Sequence, residues 1–151
     1  MLGIATLLTG LLAGVYYGFA VGVVPGLDRL SDAAFADAMN RMNEAIVNPA
    51  FMATFLGAPA LCLVAVFVVR RSGWVIAALM LNVAGLVVTA AANLPLNDAL
   101  LADNDRAAFE HAWVLWNLVR MVVTAAACCC LIRAMIPHRA GTPSTVDSST
   151  V

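Results

Sequence analysis

Trp113-Val114-Leu115-Trp116-Asn117-Leu118-Val119-Arg120 runs into Met121–Ile132, twelve residues without a charge, before Arg133 is reached. Twelve helical residues cover about 18 Å at ~1.5 Å each. A hydrocarbon core is roughly 30 Å thick and takes about 20 residues. If this last apolar segment crosses a membrane, Arg120 therefore sits at membrane depth. An arginine there is costly unless it faces the bundle interior, water or a partner, which makes it a functional-site hypothesis by default. Trp113, Trp116, Asn117 and Arg120 stand at i, i+3, i+4 and i+7, one stripe of a helix. An interfacial tryptophan belt with a snorkelling arginine accounts for the two tryptophans. It accounts less well for Arg120, which lies two turns, or about 10 Å, deeper than Trp113. The stripe is predicted to face inward.

The rest of the chain agrees with a membrane setting. Of its 151 residues 63% are hydrophobic and 11% charged, with a mean hydropathy of +0.93. Soluble domains are nearer 45–50% apolar and about 25% charged. The net charge is −1 and there is no lysine, so no basic footprint for nucleic acid exists and none is expected as a partner. The cysteines, Cys62 and Cys128-Cys129-Cys130, have no zinc-like spacing and suggest no disulfide framework. His111 and His138 fall at opposite ends of the last apolar segment, so no metal site is expected.

Working back to the start, Leu2–Val24 is uncharged and long enough to span. Gly10, Gly14, Gly18 and Gly22 form a track along which another helix can approach, either within the bundle or in a homodimer. Tyr17 is a candidate to point inward. Pro25-Gly26 is expected to end this helix. Ser31 reads as the N-cap of a short amphipathic helix with Phe35, Met39, Met42 and Ile46 on one side. That helix should lie on the membrane surface, and Asn43, Glu44 and Asn48 on its other side read either as a solvated face or as the cap of a cavity. Pro49 suits the first turn of the second span. The third span carries Asn82, Gly85, Thr89 and Asn93 as a small and polar stripe. Asn93-Leu94-Pro95-Leu96-Asn97-Asp98 should then be a rigid turn, because Pro95 breaks the helix. Residues 99–112 read as a polar connection, partly helical.

The expected fold is all-α: an integral membrane four-helix bundle, up-down-up-down, with one short amphipathic surface helix between the first two spans. Residues 1–136 form the transmembrane domain, with spans near 2–24, 49–69, 74–92 and 113–133. Residues 137–151 read as a disordered polar tail. Arg70, Arg71, Arg133 and Arg139 share one side with both termini, and Arg29, Arg41 and Arg106 lie opposite. Four against three favours cytoplasmic termini, with the plasma membrane as the expected location.

These residues also carry a resemblance. Val24-Pro25-Gly26-Leu27, Asn43, Asn48-Pro49-x-Phe51, Phe55-Leu56-Gly57, Asn93-x-Pro95-Leu96-Asn97 and Trp113-x-x-Trp116-Asn117-x-x-Arg120 occur in that order. Over roughly Gly10–Leu131 the chain resembles the anthrone oxygenase-like family of small four-helix membrane proteins. The resemblance implies a four-helix bundle. For a few members it implies oxidation of a polyketide anthrone to an anthraquinone, with molecular oxygen as co-substrate and no other cofactor.

That chemistry needs an acidic C–H proton removed and an oxyanion stabilised. Arg120 and Asn117, with Asn93 and Asn97, are the donors. His111 and Glu44 are the base candidates. Trp113 and Trp116 would stack on a flat substrate, and Asn43, Asn48 and Tyr17 would complete its pocket. Two other readings stay open. One is a membrane module that binds or transports a lipid-like or anionic small molecule. The other is a structural partner that docks another membrane protein through the glycine track.

Overall fold

The computed structural model describes residues 1–69 and 72–136. The expected disordered tail at 137–151, with His138 and Arg139, lies outside the described residues, as do Arg70 and Arg71. Five helices make up the described chain: α1 (Leu2–Leu27), α2 (Asp32–Ile46), α3 (Pro49–Val68), α4 (Gly73–Asp103) and α5 (Arg106–Met135). No strand occurs among the described residues. All but α2 are long and apolar enough to cross a membrane. They pack in a ring, α1 on α3, α3 on α4, α4 on α5 and α5 on α1. The short links make neighbours antiparallel, which is the up-down-up-down bundle.

Two helices outrun their expected ends. Neither Pro25 nor Pro95 terminates its helix, and Asn93–Asp98 is not a turn. Each proline follows a widened π turn, Phe19–Val23 in α1 and Thr89–Asn93 in α4. In both, the next N–H bonds five residues back: Val24 to the Phe19 carbonyl and Leu94 to the Thr89 carbonyl. A proline inside a helix has no N–H, and its ring collides with the carbonyl four residues earlier. The wider turn moves that carbonyl aside and lets the helix continue. The expected polar connection over 99–112 is mostly helix as well. It shrinks to Asn104 and Asp105. Asn104 stops α4 in the left-handed region at φ 52°, a conformation asparagine tolerates, and its N–H bonds to the Leu100 carbonyl. Asp105 then caps α5 by accepting from Ala108 N–H at 3.1 Å.

The surface helix α2 is capped as expected, with Ser31 Oγ accepting from Ala34 N–H at 3.4 Å. It buries Phe35, Ala36 and Met39 against Val24, Leu100, Phe109 and Trp113, closing one end of the bundle. Arg106 ties this end together. It pairs with Asp28 at 2.8 Å and Glu110 at 2.7 Å, donates to the Leu30 carbonyl at 3.1 Å, and lies 4.4 Å from the centre of the Phe35 ring. The α1–α2 link is thereby fastened to the start of α5.

The polar stripe of α4 faces inward. Asn82 is buried; it donates to the Ala78 carbonyl at 3.0 Å and reaches Thr9 and Cys62 across the bundle. Close helix approach occurs at Gly57 and Gly85, where an added Cβ would lie 3.1 Å from Leu8 and 3.5 Å from Thr124. The glycine track behaves differently. A Cβ at Gly10 would meet Cys128 at 3.7 Å, but at Gly14, Gly18 and Gly22 it would meet nothing within 4 Å. Packing within the bundle therefore uses only the first glycine of the track.

Candidate functional site

Below α2, at the end of the bundle that it closes, lies a cavity of about 260 Å³. Arg120 forms its floor. It is the fifteenth of the thirty residues of α5, about 20 Å from either end, and only 8% exposed. The phase of α5 puts it there. Phe109, Trp113, Asn117, Arg120, Thr124, Ala127 and Leu131 are its buried residues, spaced by fours and threes.

The guanidinium is held on three sides. Nη2 donates to Asn117 Oδ1 at 3.0 Å, and Nη1 reaches Thr89 Oγ1 at 3.5 Å. Its carbon lies 4.5 Å from the centre of the Tyr16 ring and 5.7 Å from that of Trp113. Such contacts hold a cation without neutralising it. No carboxylate pairs with Arg120 among the described residues. Asn117 is committed at both ends, since its Nδ2 donates to the Tyr16 carbonyl at 2.9 Å while its oxygen accepts from Arg120. These two bonds make it the residue that positions the arginine.

Four buried polar atoms in the wall have no protein partner: Arg120 Nε, both side-chain atoms of Asn93, and Asn43 Nδ2. A buried polar group left unmade costs about 1–3 kcal/mol, so this cluster beside one cavity calls for a partner, a water or a ligand group. Asn97 lies beside them and accepts from Trp113 Nε1 at 2.9 Å, which fixes the indole. The remaining wall is apolar and aromatic. Phe19 lies 5.7 Å from Trp113, centre to centre, and Phe51 stacks on Phe55 at 5.5 Å.

Six of the expected site residues thus line one cavity: Arg120, Asn117, Trp113, Asn93, Asn97 and Asn43. Five do not. Trp116 is 40% exposed and faces outward, because the inner stripe of α5 passes through its neighbour Asn117. Tyr17 also faces outward, and Tyr16 takes the inward place expected of it. Asn48 caps α3, accepting from Phe51 N–H at 3.0 Å and donating to the Ala45 carbonyl at 3.0 Å. Glu44 and His111 are exposed on the outer sides of α2 and α5 and do not line the cavity. Arg120 and Tyr16 are the ionisable side chains in the wall among the described residues, and neither expected base is part of it. Among the described residues no three His, Cys, Asp or Glu side chains cluster as metal ligands would.

Sequence reasoning passed over Tyr16, Phe19, Phe51 and Phe55. Tyr16 was there to be found: Ala5, Thr9, Leu12 and Tyr16 are the buried residues of α1 and follow the same four-three-four rhythm. Thr9, a polar residue in an apolar helix, fixes that phase.

Compared with known proteins, the family model described as Anthrone oxygenase matches residues 35–130, more than half of the chain. No curated protein and no solved structure matches.

Proposed function

The chain belongs to the anthrone oxygenase family, and from that premise we propose that it oxidises a flat, apolar phenolic or anthrone-like small molecule with molecular oxygen. The observation that carries this reading is Arg120: a buried guanidinium at the floor of an apolar, aromatic cavity, its Nε without a protein partner and no carboxylate beside it among the described residues. Such a group suits an oxyanion that forms during reaction, because its donors are already oriented in a site of low dielectric.

The chemistry then runs as follows. One C–H proton leaves the central methylene of the bound anthrone, and the resulting enolate places its charge on the ring oxygen, against Arg120 and the Asn93 amide. The enolate passes one electron to O₂. Superoxide and the carbon radical combine, forming a C–O bond, and a proton converts the product to a hydroperoxide. Loss of the second C–H proton with cleavage of the O–O bond gives the new carbonyl and one water. O₂ accepts four electrons, and no further oxidant is needed. With no imidazole or carboxylate in the wall among the described residues, the first proton passes to water at the α2–α3 corner of the cavity, where Val47 is 66% exposed. The residues contribute by lowering the energy of the anion.

A second reading draws on the same lack of a base. The cavity also suits a module that only binds a lipid-like or anionic small molecule. O₂ uptake by the detergent-purified protein with a simple anthrone separates the two. Uptake well above the uncatalysed background, lost in a folded Arg120→Met variant, supports the oxygenase. Saturable binding with uptake at background would leave the binding module.

A further inference from the structure

The cavity has a side opening. Helix α3 packs on the Gly73–Val88 half of α4 and hardly touches the Thr89–Asp103 half. Its buried residues, Ala58, Pro59, Cys62 and Ala65, begin at its midpoint, and none lies before Gly57. The first turns of α3 therefore stand away from α4, and the cavity reaches the surface between them. Met52 on α3 and Leu94 on α4 line both the cavity and this gap, with Val47 at the corner above. Leu94 is 49% and Val47 66% exposed although both line the cavity.

The two ends of the cavity differ in chemistry. The unpartnered polar atoms sit on α2, α4 and α5, whereas the wall toward α3 is Phe51, Met52 and Phe55. Pro49 begins α3, so those three side chains lie within about two turns, or ~10 Å, of the end of the span. At that depth the gap faces the upper part of the acyl chains and not bulk water.

We propose that this cavity takes a ring compound bearing a long apolar chain, its polar edge on Arg120 and Asn93 and its chain passing out through the α3–α4 gap into the bilayer. The proposal rests on reading the cavity as a flat-ring site and adds the substituent that the site accepts. A polar edge matches the buried donors, and the stacked phenylalanines match the ring face. A chain attached at the opposite edge stays in hydrocarbon throughout, so the site has no reason to reject it. Membrane partition also holds such a compound at the level of the mouth.

The test uses full-length protein in detergent with Trp74→Phe and Trp116→Phe, which leaves Trp113 in the cavity wall as the emitting tryptophan. Decylubiquinone and the same benzoquinone without its decyl chain serve as probes. Both should quench Trp113 saturably. Filling the gap with Met52→Phe and Leu94→Phe should weaken decylubiquinone about tenfold or more beyond any weakening of the bare ring, whose saturable quenching also shows that the filled variant is folded. Equal weakening of both probes, or no change in either, overturns the proposal. If neither probe quenches while anthrone still drives O₂ uptake, the chain-bearing ligand is wrong and the oxygenase stands. If the probes behave as expected while anthrone gives no uptake, the chain proposal stands and the oxygenase reading falls.

Discussion

Arg120 has two properties that pull in opposite directions. Its charge is buried with only amide, hydroxyl and ring partners, which is costly to the fold. The same lack of a counter-ion leaves it free to meet an anion. A residue that costs stability and serves function shows itself when it is removed. Arg120→Met, which roughly keeps the side-chain length, is expected to lower kcat by about 10²–10³, the usual cost of losing one oxyanion donor. It should melt no lower than the parent. Arg120→Lys should recover little, because one ammonium nitrogen cannot stand where the planar guanidinium places Nη1 at Thr89, Nη2 at Asn117 and Nε as a third donor. O₂ uptake and a thermal melt on the same samples check both halves. The wall also predicts who is not involved. His111→Gln and Glu44→Gln should keep turnover within about twofold, whereas loss of a working general base costs about 10²–10⁴. A large drop in either variant would put a base back into the reaction. At this scale the sequence was a good guide to α5, where an arginine and an asparagine in an apolar run can only face inward. It was a poor guide to adjacent aromatics. Tyr16 and Tyr17 differ by about 100° of helix rotation, and only the phase set by Thr9, two turns earlier, chooses between them.

The helices explain how these residues come to share one cavity. In an α-helix a step of four residues gains about 40°, so Gly85, Thr89, Asn93 and Asn97 would drift around α4. A π turn takes more residues per turn and cancels part of that drift, which keeps the stripe on the inner face down to Asn97. The prolines were visible in the sequence, but the rule that proline ends a helix gave the wrong outcome twice. Leu94 and Val24 escape it through i→i−5 bonds that no local pattern announces. The glycine track left two readings open for a related reason. Spacing shows which of them share a face, but only packing shows which face is touched. Gly85→Val should push α4 from α5 at Thr124 and Val123 and lower the thermal midpoint, as overpacking by about 1–3 kcal/mol does. Gly14→Val and Gly18→Val, which meet nothing in this chain, should leave the midpoint nearly unchanged. A clear loss at Gly14 or Gly18, together with a fall in apparent mass on size exclusion, would instead reveal a homodimer seated on that track.

As a whole molecule, the bundle was legible because lipid imposes a simple rule: each backbone polar group must be met within its own helix, so long uncharged runs become spanning helices. The end at which the site sits follows from the same counting. The cavity lies beneath α2 and the Asn104-Asp105 link, at the opposite end from the α3–α4 turn and from the C-terminal end of α5 near Arg133. At the other end Arg133 lies 5.8 Å from the Trp74 ring centre. Together with Arg70, Arg71 and Arg139 it gives that side four arginines against Arg29, Arg41 and Arg106. Arginine excess marks the cytoplasmic side. The orientation we propose therefore puts the cavity mouth in the outer leaflet, where a membrane-dissolved substrate and O₂ both reach it without crossing the cytoplasm. A membrane-impermeant maleimide reads this directly. With Cys62, Cys128, Cys129 and Cys130 replaced by alanine, Asp103→Cys should label in intact right-side-out vesicles. Ser72→Cys should label only after permeabilisation. The reverse pattern would turn the bundle over and place the mouth in the cytoplasmic leaflet. The substrate would then have to come from inside the cell, and the arginine balance would have been set by something other than insertion.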